Sequence, residues 1–176
     1  MRRTIWLWQL GGWTFTAVLG TLLHFLYDWT ESPILAAFSA VNESTWEHMK
    51  LMFVPMFLFA VIQSFFFKEE FCAFWNIKLA GTMLGTALVP IVFYSIGGIF
   101  GGTPDWLNVL IFFLSAGAGY ALEWRLLERG EGECRTQLFA VATFVAVMLL
   151  FAVFTFAPPN IPIFQDPITR GYGLTI

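Results

Sequence analysis

The sequence predicts an all-α integral membrane protein: a single membrane domain over residues 1–176 built as a bundle of about five transmembrane helices, with the N-terminus inside, the C-terminus outside and a short interfacial helix. Three observations carry that reading. Of the 176 residues, 58% are hydrophobic and 12% charged, with a mean hydropathy of +0.72, whereas soluble domains hold about 45–50% apolar and about 25% charged residues. The apolar residues gather in five stretches, each near the roughly 20 residues that cross about 30 Å of hydrocarbon. Lys and Arg then collect at alternate connections, as cytoplasmic loops require.

The first stretch, residues 5–28, follows Met1-Arg2-Arg3. It resembles a secretory signal only at its start, because the run continues to Tyr27, past the 7–15 residues or so of a signal core, and no small-residue cleavage site closes it. Ser32-Pro33 then reads as an N-cap with proline at the first helical position, opening a helix over 33–41 too short to span and suited to the interface. Ser44-Thr45-Trp46-Glu47 is a capping box at the head of the second span, 47–67. The third span, 74–99, carries Gly81-x-x-x-Gly85, a small-residue face that could seat a partner helix. Thr103-Pro104-Asp105 opens the fourth, 106–127, and the fifth covers 136–157. Pro55 and Pro90 should kink spans two and three, which neighbouring helices can tolerate. Pro158, Pro159, Pro162 and Pro167 end the last helix and give an outer tail over 158–176.

With the N-terminus inside, Arg2, Arg3, Lys68, Lys78, Arg125, Arg129 and Arg135 fall on the cytoplasmic side and only Lys50 and Arg170 outside. That seven-to-two distribution sets the orientation. No basic run interleaved with aromatics supports a nucleic-acid surface. A phosphate-binding Gly loop, a nucleophile elbow and a His-Glu-x-x-His helix are all absent from the sequence. Cys72 and Cys134 stand apart and read as small apolar residues rather than a disulfide or a metal pair.

The ionisable residues sort to the two ends of the bundle. At the outer end lie both histidines: His24 and Asp28 four apart on the first span, Glu43 and Glu47 four apart with His48 beside them, then Lys50, Asp105, Asp166 and Arg170. Ionisable groups at membrane depth are costly unless they pair or bind something. Imidazole with carboxylate suits zinc, iron or manganese, so His24, Asp28, Glu43 and His48 are the candidate metal ligands, with Glu47 or Asp166 to handle protons. A purely structural reading stands beside it, since Glu47 is accounted for as the capping-box acid and Glu43 by its place near a helix start. Lys78 and Glu123 at the inner end are placed to pair across helices.

Leu26-Tyr27-Asp28-Trp29-Thr30, the run Phe38 to Lys50 containing Asn42-Glu43-Ser44-Thr45-Trp46-Glu47-His48, and Pro158-Pro159-Asn160-Ile161-Pro162 with Tyr172-Gly173 resemble a family of small uncharacterised bacterial membrane proteins. The resemblance implies a multi-pass protein of the bacterial cytoplasmic membrane and carries no activity, cofactor or catalytic residue. A looser similarity links the chain to seven-span hydrolases that bind zinc through an outer His, an Asp and a late His pair, but no late His pair exists here. The function expected is an outward polar pocket binding a divalent metal such as zinc, or a small or lipid-like ligand, in a metal-dependent membrane hydrolase. A small solute-binding or transport subunit, or a structural partner in a membrane complex contacting through Gly81 and Gly85, is the alternative.

Overall fold

The computed structural model describes residues 2–67, 70–132 and 134–174. Lys68 and Ile176 lie outside them, as do the side chains of Arg2 and Arg3. Five helices are long and apolar enough to cross a membrane: α1 (Arg2–Thr30), α3 (Thr45–Phe67), α4 (Phe74–Phe100), α5 (Asp105–Arg129) and α6 (Gln137–Phe156). A single helical turn, α2 (Pro33–Ala36), joins the first two, and a 3₁₀ turn, Pro162–Phe164, lies in the tail. Pro55 and Pro90 sit inside α3 and α4.

Their burial tells which helix is central. In α3 most residues are buried, including Glu47, Lys50 and Gln63, whereas the other four keep broad exposed faces of Leu, Phe, Ile and Val such as Leu138, Phe139, Ile99 and Leu114. Lipid covers such faces at no hydrophobic cost, so α3 forms the axis and the others wrap it. Met52, Met56 and Phe59 of α3 pack on Ala116 and Tyr120 of α5, and Phe53 packs on Phe144 and Phe151 of α6.

Helices α4 and α5 meet through small residues. A Cβ on Gly119 would stand 2.6 Å from the Gly81 carbonyl oxygen, and one on Gly85 would stand 3.2 Å from the Ser115 carbonyl oxygen. The Gly81/Gly85 face expected to seat a partner is therefore buried against α5 of the same chain. Gly101 and Gly130 close α4 and α5 in the left-handed conformation that costs glycine least.

Two readings of the sequence are corrected here. The helix expected over 33–41 is one turn, because its polar backbone is taken by neighbours: the Ala36 carbonyl accepts Lys50 Nζ at 2.8 Å and the Ala40 amide donates to Leu23. Ala36, Ser39 and Ala40 are buried, so the segment folds into the bundle rather than lying flat on a membrane. Cys72 and Cys134 form a disulfide. They are 62 residues apart in sequence, yet the α3–α4 and α5–α6 connections occupy the same end of the bundle, where a Cβ on Gly132 would lie 2.5 Å from Ala73.

Candidate functional site

The opposite end, the histidine end, is built from the last turns of α1, the chain over 37–44 and the first turn of α3. Asn42 Oδ1 accepts the Ser44 amide at 2.9 Å, turning the chain, and Ser44 Oγ accepts the Glu47 amide at 3.4 Å. Only this half of the expected capping box forms. The Glu47 carboxylate turns instead to the Val41 amide and to Lys50, 2.6 Å away, because a buried ammonium outcompetes a backbone amide for a carboxylate. Lys50 is 0% and Glu47 1% exposed. Thr155 of α6 completes the network, accepting from Lys50 at 2.7 Å and donating to Glu47 at 2.9 Å.

That turn lifts Glu43 between the two histidines. Its Oε1 lies 3.7 Å from His24 Nε2 and its Oε2 3.5 Å from His48 Nε2. The imidazoles meet edge to face with centroids 5.4 Å apart. One ligand atom from each of the three lies within 4.8 Å of the others. His48 Nδ1 is 2.9 Å from the Ser44 carbonyl, which can only accept, so Nδ1 carries a proton in this contact and Nε2 is the ring nitrogen facing Glu43. The three side chains are half-exposed, so water and solutes reach them.

Of the six residues singled out in sequence, His24, Glu43 and His48 thus converge. Asp28 is exposed one turn beyond His24 and lies outside the group. The carboxylates of Glu47 and Asp166 are engaged elsewhere. Asp166 is buried and organises the tail: Oδ1 accepts the Ile168 and Thr169 amides at 2.7 and 3.3 Å, and Oδ2 accepts the Thr169 hydroxyl at 2.9 Å. Burial pushes its carboxyl up, but these hydrogen bonds and one from the Glu43 amide outweigh it and hold the group below the usual carboxylate range. Arg170, grouped by sequence with the outer ionisable residues, is exposed and contributes backbone bonds within the tail.

The tail packs onto protein. Phe164 inserts between Trp46 and Phe154, with centroids 4.7 and 5.3 Å away, and Leu174 donates to the Thr155 carbonyl. Asn42 Nδ2 donates to the Gly173 carbonyl at 3.0 Å. Gly173 has a positive φ, and a Cβ there would meet the Thr155 carbonyl at 2.7 Å. The tail therefore buttresses the 37–44 segment that carries Glu43. Lys50 and Thr155, which sequence reasoning did not place in the site, hold that segment from below; a lysine deep in an apolar helix was the available signal for the first, and none existed for Thr155.

Fold and geometry together define a multi-pass helical membrane protein with a polar His/carboxylate cluster at one end of its bundle. The chain belongs to the Family of unknown function (DUF6512), whose model matches residues 3–174. No curated protein and no solved structure matches it.

Proposed function

We propose that the protein binds a divalent metal ion, zinc by the chemistry of its donors, through His24, Glu43 and His48, with water completing the shell. The observation that supports this is the spacing of the donors. Two ligands about 2.0–2.1 Å from a tetrahedral zinc stand about 3.3 Å apart; His24 Nε2 lies 3.7 Å from Glu43 Oε1, His48 Nε2 lies 3.5 Å from Glu43 Oε2, and one donor atom from each residue lies within 4.8 Å of the others, so side-chain adjustment alone would bring the three onto one ion. Those separations exceed the 2.7–3.2 Å or so of a hydrogen bond, so a direct His–carboxylate bond describes the cluster less well than an ion between them. The Ser44 carbonyl behind His48 is the usual outer partner of a metal-ligating imidazole.

Three protein ligands and one water make the open arrangement of hydrolytic zinc, in which bound water ionises near about pH 7. A cluster at a membrane surface meets lipid-like esters and amides, so metal-assisted hydrolysis of a lipid-like substrate is the activity that fits. Glu47 and Asp166 then hold the Glu43 segment and the tail in place rather than moving protons. Metal analysis of detergent-purified protein, loaded with zinc and desalted, tests the reading. One zinc per chain is expected, lost in His24→Ala and His48→Ala and kept in Asp28→Ala. If the unsubstituted protein retains no zinc, iron or manganese, the site is a plain polar cluster.

A further inference from the structure

Near the other end of the bundle, α1, α3, α4 and α5 each bury a polar side chain: Gln9 is 4% exposed, Gln63 1%, Lys78 0% and Glu123 0%. Packing sets the four at one depth. One turn toward the disulfide end from Gln9, Ile5 packs with Ile77 and Leu127, which adjoin Lys78 and follow Glu123 by one turn. One turn the other way, a Cβ on Gly12 would lie 2.5 Å from the Tyr120 ring and 2.6 Å from Phe59. Lys78 Nζ stands 5.4 Å from the Tyr120 centroid and 5.9 Å from that of Phe59, and Gln63 lies one turn beyond Phe59 on α3. Gln9 and Gln63 thus lie at the level of the Lys78–Glu123 ion pair.

Lys78 bonds Glu123 Oε2. The other carboxylate oxygen, both polar atoms of Gln9, Gln63 Oε1 and Thr82 Oγ1 are buried with no hydrogen-bond partner among the described residues. Buried polar atoms are nearly always satisfied by protein or by ordered water. Most of these are acceptors, so what joins them must donate. A further cation would add net positive charge beside Lys78 in a low-dielectric interior, whereas water donates without charge.

We propose that Gln9, Gln63, Lys78 and Glu123 line an internal hydrated site in which water bridges the two carboxamides to Glu123 and connects the ion pair to the aqueous phase at the disulfide end. Lys78 is four residues from the start of α4 and Gln9 seven from the start of α1, roughly 6–11 Å at about 1.5 Å per residue, and the apolar layer of Ile5, Ala73, Ile77 and Leu127 is what the water has to pass to reach that end. Paired ionisable groups inside a membrane bundle commonly line proton routes, and a hydrated Lys–Glu pair is the arrangement such a route needs.

X-ray radiolysis of the unsubstituted protein in detergent or nanodiscs tests this, because hydroxyl radicals form where water is bound. Tyr120 and Phe59 should oxidise several-fold faster than Phe53 and Phe144, which lie in the apolar cluster against α6; equal rates for all four rings overturn the proposal. In a Cys72→Ser/Cys134→Ser background, Gln63→Cys should react with silver ion several-fold faster than Ile62→Cys on the neighbouring lipid-facing position. A rate no higher than that control likewise overturns it, and should Gln63→Cys fail to fold, radiolysis decides alone.

Discussion

Two carboxylates at the histidine end differ in what surrounds them, and the difference sets what each does. Glu43 stands partly exposed between two imidazoles, open to solutes, while Glu47 is sealed with Lys50 and Thr155. Removing one member of a buried pair strands a charge at a cost of about 3–5 kcal/mol, whereas replacing both by apolar groups is often neutral or stabilising. Lys50→Met should therefore lower the melting temperature strongly, and Glu47→Leu/Lys50→Met should restore most of it; a double variant as weak as the single would assign the loss to packing instead. Asp166 supplies a pH dependence outside the membrane-spanning helices. Its folded-state carboxyl is held below the ordinary value of about 3.9, so it stabilises the docked tail above about pH 4, and that contribution is lost as pH falls through the lowered value. Limited proteolysis should find the tail protected at neutral pH and released in acid, with Asp166→Asn releasing it at neutral pH as well. Equal protection of both proteins at pH 7 would show that the hydrophobic seat of Phe164 suffices.

The spans were legible because their signal is long and simple: expected ranges of 47–67, 74–99 and 106–127 compare with Thr45–Phe67, Phe74–Phe100 and Asp105–Arg129. Hydropathy over some 20 residues averages out local detail. The shorter features were less legible, since tertiary partners decide them. The helix expected over 33–41 stops at Ala36 because Lys50 reaches in from α3, a contact no local pattern announces. For the candidate site, His24, Glu43 and His48 were visible as rare polar residues in apolar surroundings, but the exclusion of Asp28 depends on where the 37–44 segment turns. The small-residue stretch was visible too, without its partner. Its use inside the chain makes a prediction about helix packing: at Gly119 a side chain would meet the Gly81 backbone oxygen, which cannot swing aside as a side chain can. Gly119→Val should destabilise by about 1–3 kcal/mol or more and Gly117→Val, whose Cβ would meet only Trp13 at 3.7 Å, by clearly less. Similar melting temperatures for the two would mean that α4 and α5 part easily.

For the molecule as a whole, the distribution of charge and the pairing of cysteines pull toward opposite orientations. Of the seven Lys and Arg read as cytoplasmic, Lys78, Arg125, Arg129 and Arg135 lie toward the disulfide end, and positive charge there favours the cytoplasm. An exposed disulfide favours an oxidising compartment, because cytosolic glutathione and thioredoxin keep accessible thiols reduced. The two are not equal in weight. Insertion is decided as the spans enter the membrane, when the cysteines of separate hairpins have not yet met, whereas the disulfide forms only after α4 and α5 have packed and brought the connections together. The expectation argued from charge is therefore that the disulfide end faces the cytoplasm, with the redox state of Cys72 and Cys134 following from that placement. In that orientation the histidine cluster is expected to face outward, and the Cys72–Cys134 disulfide is expected to be reduced in the growing cell and to close on exposure to air. A membrane-impermeant maleimide should then leave both cysteines unmodified in intact cells and modify them in inverted membrane vesicles without added reductant. If intact cells must first be treated with an impermeant reductant before the maleimide reacts, the disulfide end lies outside, the histidine cluster opens to the cytoplasm, and the charge distribution has been overruled.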